Sequence, residues 1–270
     1  MISKIPGIFN IVRRFKFWFY MHKGLTKVPA ENSVISDLFP IQPVGEWTTD
    51  FELLNLGELA LGISSSKKSP SVLIYFFDRH GIVTGKREVL QDNVARLTIR
   101  ISDYVKDELQ HSASFSVFHQ FPTNTLIQSG SFLAERGYCG YGFKGSHMRG
   151  YIHGNLDALA YKNGEISPIG NSGFFSREYI VQHQLIGPAK YDLVITNPTN
   201  LKIKITPYFQ MRRGHWKKLE AIFLSPLGTH TLQLTLKNGE KGVLKFRSPL
   251  YLCRPVIFRV SQESMDVFHG

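Results

Sequence analysis

Four side chains near the middle of this chain of 270 residues have the types that a metal or acid/base site uses: His147, His153, Asp157 and His183. The first three follow one another at gaps of six and four positions. Imidazole and carboxylate ligands suit zinc or another first-row transition metal, with an open coordination position where such a site is catalytic. A transition metal is therefore the one cofactor the sequence brings into question, and no other is predicted. The bland alternative is that these are surface or hydrogen-bonded residues in a chain with ten histidines.

Gly150-x-x-His153-x-x-x-Asp157 resembles part of the cupin metal motif. That motif also requires two histidines one residue apart and a glutamate, and both are missing, so the resemblance implies no more than a histidine and carboxylate pair. The surrounding stretch, residues 130–175, interleaves glycines with aromatics. Tyr138, Tyr141, Phe143 and Tyr151 are its candidate ligand-binding residues. Glycine lets backbone approach closely and aromatics supply rigid contact area, a combination suited to a carbohydrate groove and equally to a tight interdomain junction.

The familiar catalytic signatures are missing: no G-x-S-x-G elbow, P-loop, dinucleotide fingerprint or H-E-x-x-H occurs. A carboxylate pair for glycoside cleavage leaves no mark in sequence, because its members are often far apart.

A second constellation is electrostatic. From Lys202 to Lys218 the chain carries Lys202, Lys204, Arg212, Arg213, Lys217 and Lys218 with His215 and Trp216, and no acid. Such a hairpin attracts phosphate backbones or anionic lipids, and Trp216 has the ring to stack on a base or sugar. Arg212, Arg213, Trp216, Lys217 and Lys218 are thus its candidate anion or nucleic-acid contacts. A solvated hairpin face is the alternative.

The formal net charge of +11 is concentrated at the start, where Lys4, Arg13, Arg14, Lys16, Lys23 and Lys27 precede the first acid, Glu31. At helical spacing Ile8, Ile11, Val12, Phe15, Trp18 and Phe19 share one face. The spacing predicts a basic amphipathic helix over 1–27, with Arg13, Arg14 and Lys16 toward lipid headgroups and Phe15, Trp18 and Phe19 below them. A secretory signal and a transmembrane span both need an unbroken apolar run, which these cations interrupt. Packing on the protein itself or on a partner subunit is the alternative role of that helix.

What must position these residues is a set of short strands. Val72, Ile74 and Phe76, then a turn at Gly81, then Leu90 and Leu97 recur as Ile203, Ile205 and Phe209, Gly214, Leu224 and Leu232. Phe76 to Phe209 and Gly81 to Gly214 span 133 positions, Leu90 to Leu224 spans 134 and Leu97 to Leu232 spans 135. Period-two alternation, turn formers between runs and no helical period among them predict an all-β protein. The expected architecture is two tandem antiparallel β-sandwich domains, jelly-roll or Ig-like, from an internal duplication. Its components are the helix 1–27, a linker 28–46, a first sandwich 47–145, a Gly/aromatic-rich junction 146–173 and a second sandwich 174–270. In fold alone this resembles small bacterial sandwich modules.

Cys139 and Cys253 lie in different halves, so a disulfide framework is not expected and a cytoplasmic setting, peripheral at the membrane, is the natural reading. The function expected is a non-catalytic binding or scaffolding protein, with a protein partner or a second copy as its contact. Two alternatives stand beside it: a metal-dependent or carbohydrate-active enzyme with its site at the junction, and a nucleic-acid binder using the 202–218 hairpin.

Overall fold

The computed structural model describes residues 24–31, 33–54, 71–90, 96–107, 109–119, 133–134, 137–154, 158–211, 215–262 and 264–270. Strands form where apolar and polar side chains alternate. In β3 (Trp47–Leu54), Trp47, Thr49, Phe51 and Leu53 are buried on one face, and Thr48, Asp50 and Glu52 stand on the other.

Five small sheets result among the described residues. One joins β2 (Phe39–Pro40), β7 (Ser112–His119), β4 (Ser71–Asp78) and β5 (Val83–Leu90). A second runs β10 (Arg149–His153), β9 (Tyr138–Phe143), β3 and β6 (Arg96–Arg100). A third runs β12 (Glu165–Pro168), β11 (Leu159–Lys162), β1 (Val34–Ser36) and β8 (Leu133–Ala134). The fourth and largest runs β13 (Ser172–Ile180), β20 (Lys241–Leu250), β16 (Ile203–Gln210) and β17 (Lys217–Lys218); β14 (Leu185–Ile186) pairs with β20 and β18 (Ile222–Leu224) with β16. The fifth runs β19 (Thr229–Leu236), β15 (Ala189–Thr196), β21 (Val256–Val260) and β22 (Met265–His269). Among the described residues one short helix, α1 (Ile101–Asp107), follows β6 directly.

The chain is all-β, as expected, but it is not two tandem sandwiches. Its five sheets are disposed as the blades of a five-bladed β-propeller. Two observations overturn the two-sandwich expectation. First, one core joins Trp47, Phe51 and Tyr141 to Val194, Val256, Phe258, Met265 and Val267 of the far half. Second, the 146–173 stretch is strand-forming, supplying β10 to one sheet and β11 and β12 to a sheet with Val34–Ser36.

The physical reason lies in strands buried on both faces. In β4, Val72, Ile74 and Phe76 enter one core, while Leu73, Tyr75 and Phe77 enter another with Val34, Leu38 and Phe118. In β15, Tyr191, Leu193 and Ile195 face the β16–β20 side, whereas Val194 belongs to the core around Trp47. A layer covered on both sides cannot be the outer wall of a closed half.

Blades here are built from strands far apart in sequence, and the order β10-β9-β3-β6 matches β22-β21-β15-β19 in its first two steps, the last step spanning three strands in one and four in the other. Positions 133 and 135 apart fall on corresponding strands: Phe76 on β4 and Phe209 on β16, Leu97 on β6 and Leu232 on β19. What repeats is strand order within sheets, not closure of each half.

Residues 1–23, including Arg13, Arg14, Phe15, Lys16, Trp18 and Phe19, lie outside the described residues. The end of the expected 1–27 helix is corrected, because from Gly24 to Lys27 the chain is not helical and Thr26 bridges Gly170.

Candidate binding face

The metal candidates do not converge among the described residues. His147 lies in the turn between β9 and β10, and His153 ends β10, so about 16 Å of extended strand separates them. His153 stacks near His269, ring centroids 5.0 Å apart, and its carbonyl is 3.1 Å from His269 Nε2. His183 packs edge-on against Phe268 at 4.6 Å. Phe268 and His269 are consecutive on β22 and point to opposite faces, which puts His183 and His153 on opposite sides of that strand. Asp157 lies outside the described residues, and among those described no group of three or more His, Cys, Asp or Glu side chains is placed to hold a metal.

The four aromatic candidates divide. Tyr138 and Tyr151 are exposed on the outer face of the β10-β9-β3-β6 sheet. Tyr141 is fully buried, its hydroxyl donating to the Pro40 carbonyl at 2.8 Å, and burial raises its pKa. Phe143 is half-buried against Trp47 at 4.9 Å and borders a cleft of about 540 Å³ with Trp47 and Phe258.

Beneath Tyr138 and Tyr151 lies a charge lattice. Asp50 and Glu52 are two apart on β3 and so share its outer face. Arg149 bonds Asp50, while Arg96 Nε and Thr98 Oγ1 each reach Glu52 at 2.8 Å. Gly140 makes room for the Tyr151 ring and Gly142 for Thr48, so the side chains lie flat. The Arg96 hydrogen bond holds the Glu52 carboxyl below its usual range, against a smaller opposing effect of burial. A glycoside-cleaving pair needs one carboxyl kept protonated. Glu52 is pushed the other way.

The basic hairpin gains what the sequence did not show, two cations from a distant strand. β16 buries Ile203, Ile205 and Phe209 and turns Lys204, Thr206, Tyr208 and Gln210 outward. Arg247 is partnered to Thr206 and Lys245 to Tyr208, and Lys218 pairs with Tyr208 from the other side. Phe223 of β18 lies opposite Lys204. The edge strand β13 adds Glu178 beside Arg247 and Ile180 beside Lys245.

Cross-strand neighbours on one face stand about 5 Å apart, so this is a continuous surface. It carries Lys204, Lys218, Lys245 and Arg247, and the carboxylate of Glu178 accepts from Lys245 Nζ at 3.2 Å. The same ammonium sits 4.5 Å from the Trp216 ring centre and 5.3 Å from that of Tyr208, and Lys204 sits 5.6 Å from Phe223. Cations over aromatic rings are attracted by the ring quadrupole, which keeps these long side chains extended along the sheet. Lys217 is exposed at the β17 edge; Arg212 and Arg213 lie outside the described residues. The alternation Val243, Lys245, Arg247 along β20 was the sequence signal available for the two added cations.

Comparison with protein-family models and with curated proteins finds no match to this chain. An all-β arrangement of small sheets is compatible with a binding or scaffolding role, and fold alone goes no further than that class.

Proposed function

We propose that this is a non-catalytic binding and scaffolding protein that receives an acidic segment of a partner protein on the outward face of the β13-β20-β16-β17 sheet. The observation that carries the reading is the juxtaposition of Lys204, Lys218, Lys245 and Arg247 from three strands, with Glu178 the one acid among the described residues that the strand pairing sets beside them. A protein partner is favoured over nucleic acid by the aromatics. Lys245 already lies over Trp216 and Tyr208, so these rings hold a cation rather than waiting for a base. Phe223 and Ile180 are more than half exposed at the margins, and protein interfaces combine such apolar groups with arginine. In this reading the basic segment 1–27 holds the module at an anionic membrane surface, which its composition supports.

Fluorescence anisotropy tests the face, using a labelled peptide of alternating Glu and Phe and a single-stranded oligonucleotide of equal charge. The peptide is expected to bind more tightly, and K204E/R247E to weaken it by about tenfold or more at low salt. Tighter binding of the oligonucleotide, lost in the same variant, would establish the nucleic-acid reading instead.

A further inference from the structure

The edge strand β13 does not run evenly along β20. Ser172 is partnered to Leu250 and Arg177 to Ser248, so Gly173, Phe174, Phe175 and Ser176 stand opposite the single residue Pro249. Three residues more than the ladder can pair are therefore looped out, and Pro249, with no N–H, has none to offer the bulge. At its tip are two consecutive phenylalanines, Phe174 at 90% exposure and Phe175 at 59%, with rings edge to face at 5.1 Å. Adjacent large aromatics on a convex projection are costly in water, and a sheet edge that needed only protection would carry charge there.

The chain's N-terminal segment joins the fold at the same place. Asn171 Nδ2 donates to the Gly24 carbonyl at 2.9 Å, Asn171 N–H to the Leu25 carbonyl at 3.0 Å, and Thr26 bridges Gly170. Leu25, itself half exposed, is thereby fixed beside the root of the bulge. Phe174 is three residues from Asn171, within about 10 Å of chain. The sequence before Gly24 carries Lys4, Arg13, Arg14, Lys16 and Lys23, no acid, and the aromatics Phe15, Phe17, Trp18 and Phe19.

We propose that the Phe174–Phe175 fork is a lipid-inserting wedge, by which this edge of the protein docks on an anionic bilayer alongside the segment that precedes Gly24. A bilayer fits the shape and charge together. A protruding aromatic pair enters the headgroup and acyl boundary without needing a complementary pocket, and the basic composition of the sequence before Gly24 supplies attraction to anionic headgroups. The proposal rests on the membrane component of the reading above and adds a second, structured contact to it. The outward basic face is left to its protein partner.

Cysteine labelling of the full-length chain tests it. Cys139 and Cys253 are buried, and burial pushes the Cys253 thiol up to about 12 and Cys139 higher still, so S176C takes an environment-sensitive fluorophore selectively at the exposed bulge. With vesicles of phosphatidylcholine and phosphatidylglycerol at seven to three, the probe is expected to shift to the blue. F174S/F175S is expected to abolish the shift and lower vesicle partitioning by about tenfold, with its melting curve unchanged because both rings are solvent-exposed. R13Q/R14Q/K16Q is expected to weaken partitioning while leaving the shift at saturating lipid. Flotation of the protein with no change at position 176 would overturn the wedge and leave the N-terminal segment as the sole lipid contact. No flotation of the wild-type chain would overturn both.

Discussion

His269 shows how one residue's surroundings set a pH dependence. Its Nε2 meets the His153 carbonyl at 3.1 Å, while its Nδ1 is enclosed and has no hydrogen-bond partner among the described residues. Burial, followed by the charges of Arg254 and His153, lowers its pKa from the ordinary 6.5 to about 4. The unfolded chain thus binds a proton between these values that the folded one refuses. Stability is full above the unfolded value and is lost as the pH falls through 6.5 toward 4. Solvent screening leaves about 1–2 kcal/mol of the roughly 3 that the shift alone implies. H269Q removes the titrating group. Urea denaturation at pH 7.5 and pH 4.5 should show the wild type losing about 1–2 kcal/mol more than H269Q; parallel losses would refute the assignment. No comparable signal for this histidine existed in the sequence, since His153 and His269 are 116 residues apart and only the contact of β10 with β22 brings them together.

At the scale of elements, turns do more than reverse the chain. Gly81 closes the β4–β5 hairpin at φ +82°, and a Cβ there would overlap the Pro226 carbonyl oxygen in the turn before β19. Thr229 N–H donates to the Arg79 carbonyl at 3.0 Å in the same contact. Gly145, at φ +85°, has the same backbone demand and open space around it. Alanine at either position has the left-handed conformation to adopt, at about 1 kcal/mol. Only G81A must also push apart a pair of packed turns, so its loss should reach about 3 kcal/mol in chemical denaturation against about 1 for G145A. Equal losses would show that the turns do not dock. Individual elements were legible in advance: alternation gave β4 and β16, and the turn around Gly81 was marked by its residues. Pairing was not. Val34–Ser36 joins Leu159–Lys162 across more than a hundred residues, and three-residue strands carry too little pattern to announce a partner. The unbroken apolar run Val72–Phe77 did hold the clue that β4 is covered on both faces, which alternation read on one side alone conceals. The candidate face was half legible for the same reason: Lys204 and Lys218 were in view as a hairpin, whereas Lys245 and Arg247 join them only through sheet register.

For the whole molecule the decisive feature is the core shared across the chain's midpoint. The Phe258 ring meets Tyr141 at 4.8 Å and Trp47 at 5.3 Å, both edge-on, so the last sheet and the sheet of β3 and β9 are fastened through one aromatic group. Each such pair adds about 1 kcal/mol beyond the area it buries. Were either half to unfold alone, the other would expose these rings and the apolar side of β15, a cost neither half can absorb. The two halves should therefore unfold together, and with Trp18 replaced by phenylalanine two probes report on them: Trp47 in the first half and Trp216 in the second. Calorimetry is expected to give one transition with equal calorimetric and van't Hoff enthalpies. F258A should lower that single transition by about 3–4 kcal/mol without splitting it. A large-to-small change confined to a self-contained second half would instead shift one of two transitions and leave the other in place. Resolution of two peaks in the wild type, or a Trp47 signal indifferent to F258A, would mean that the shared core does not couple the halves.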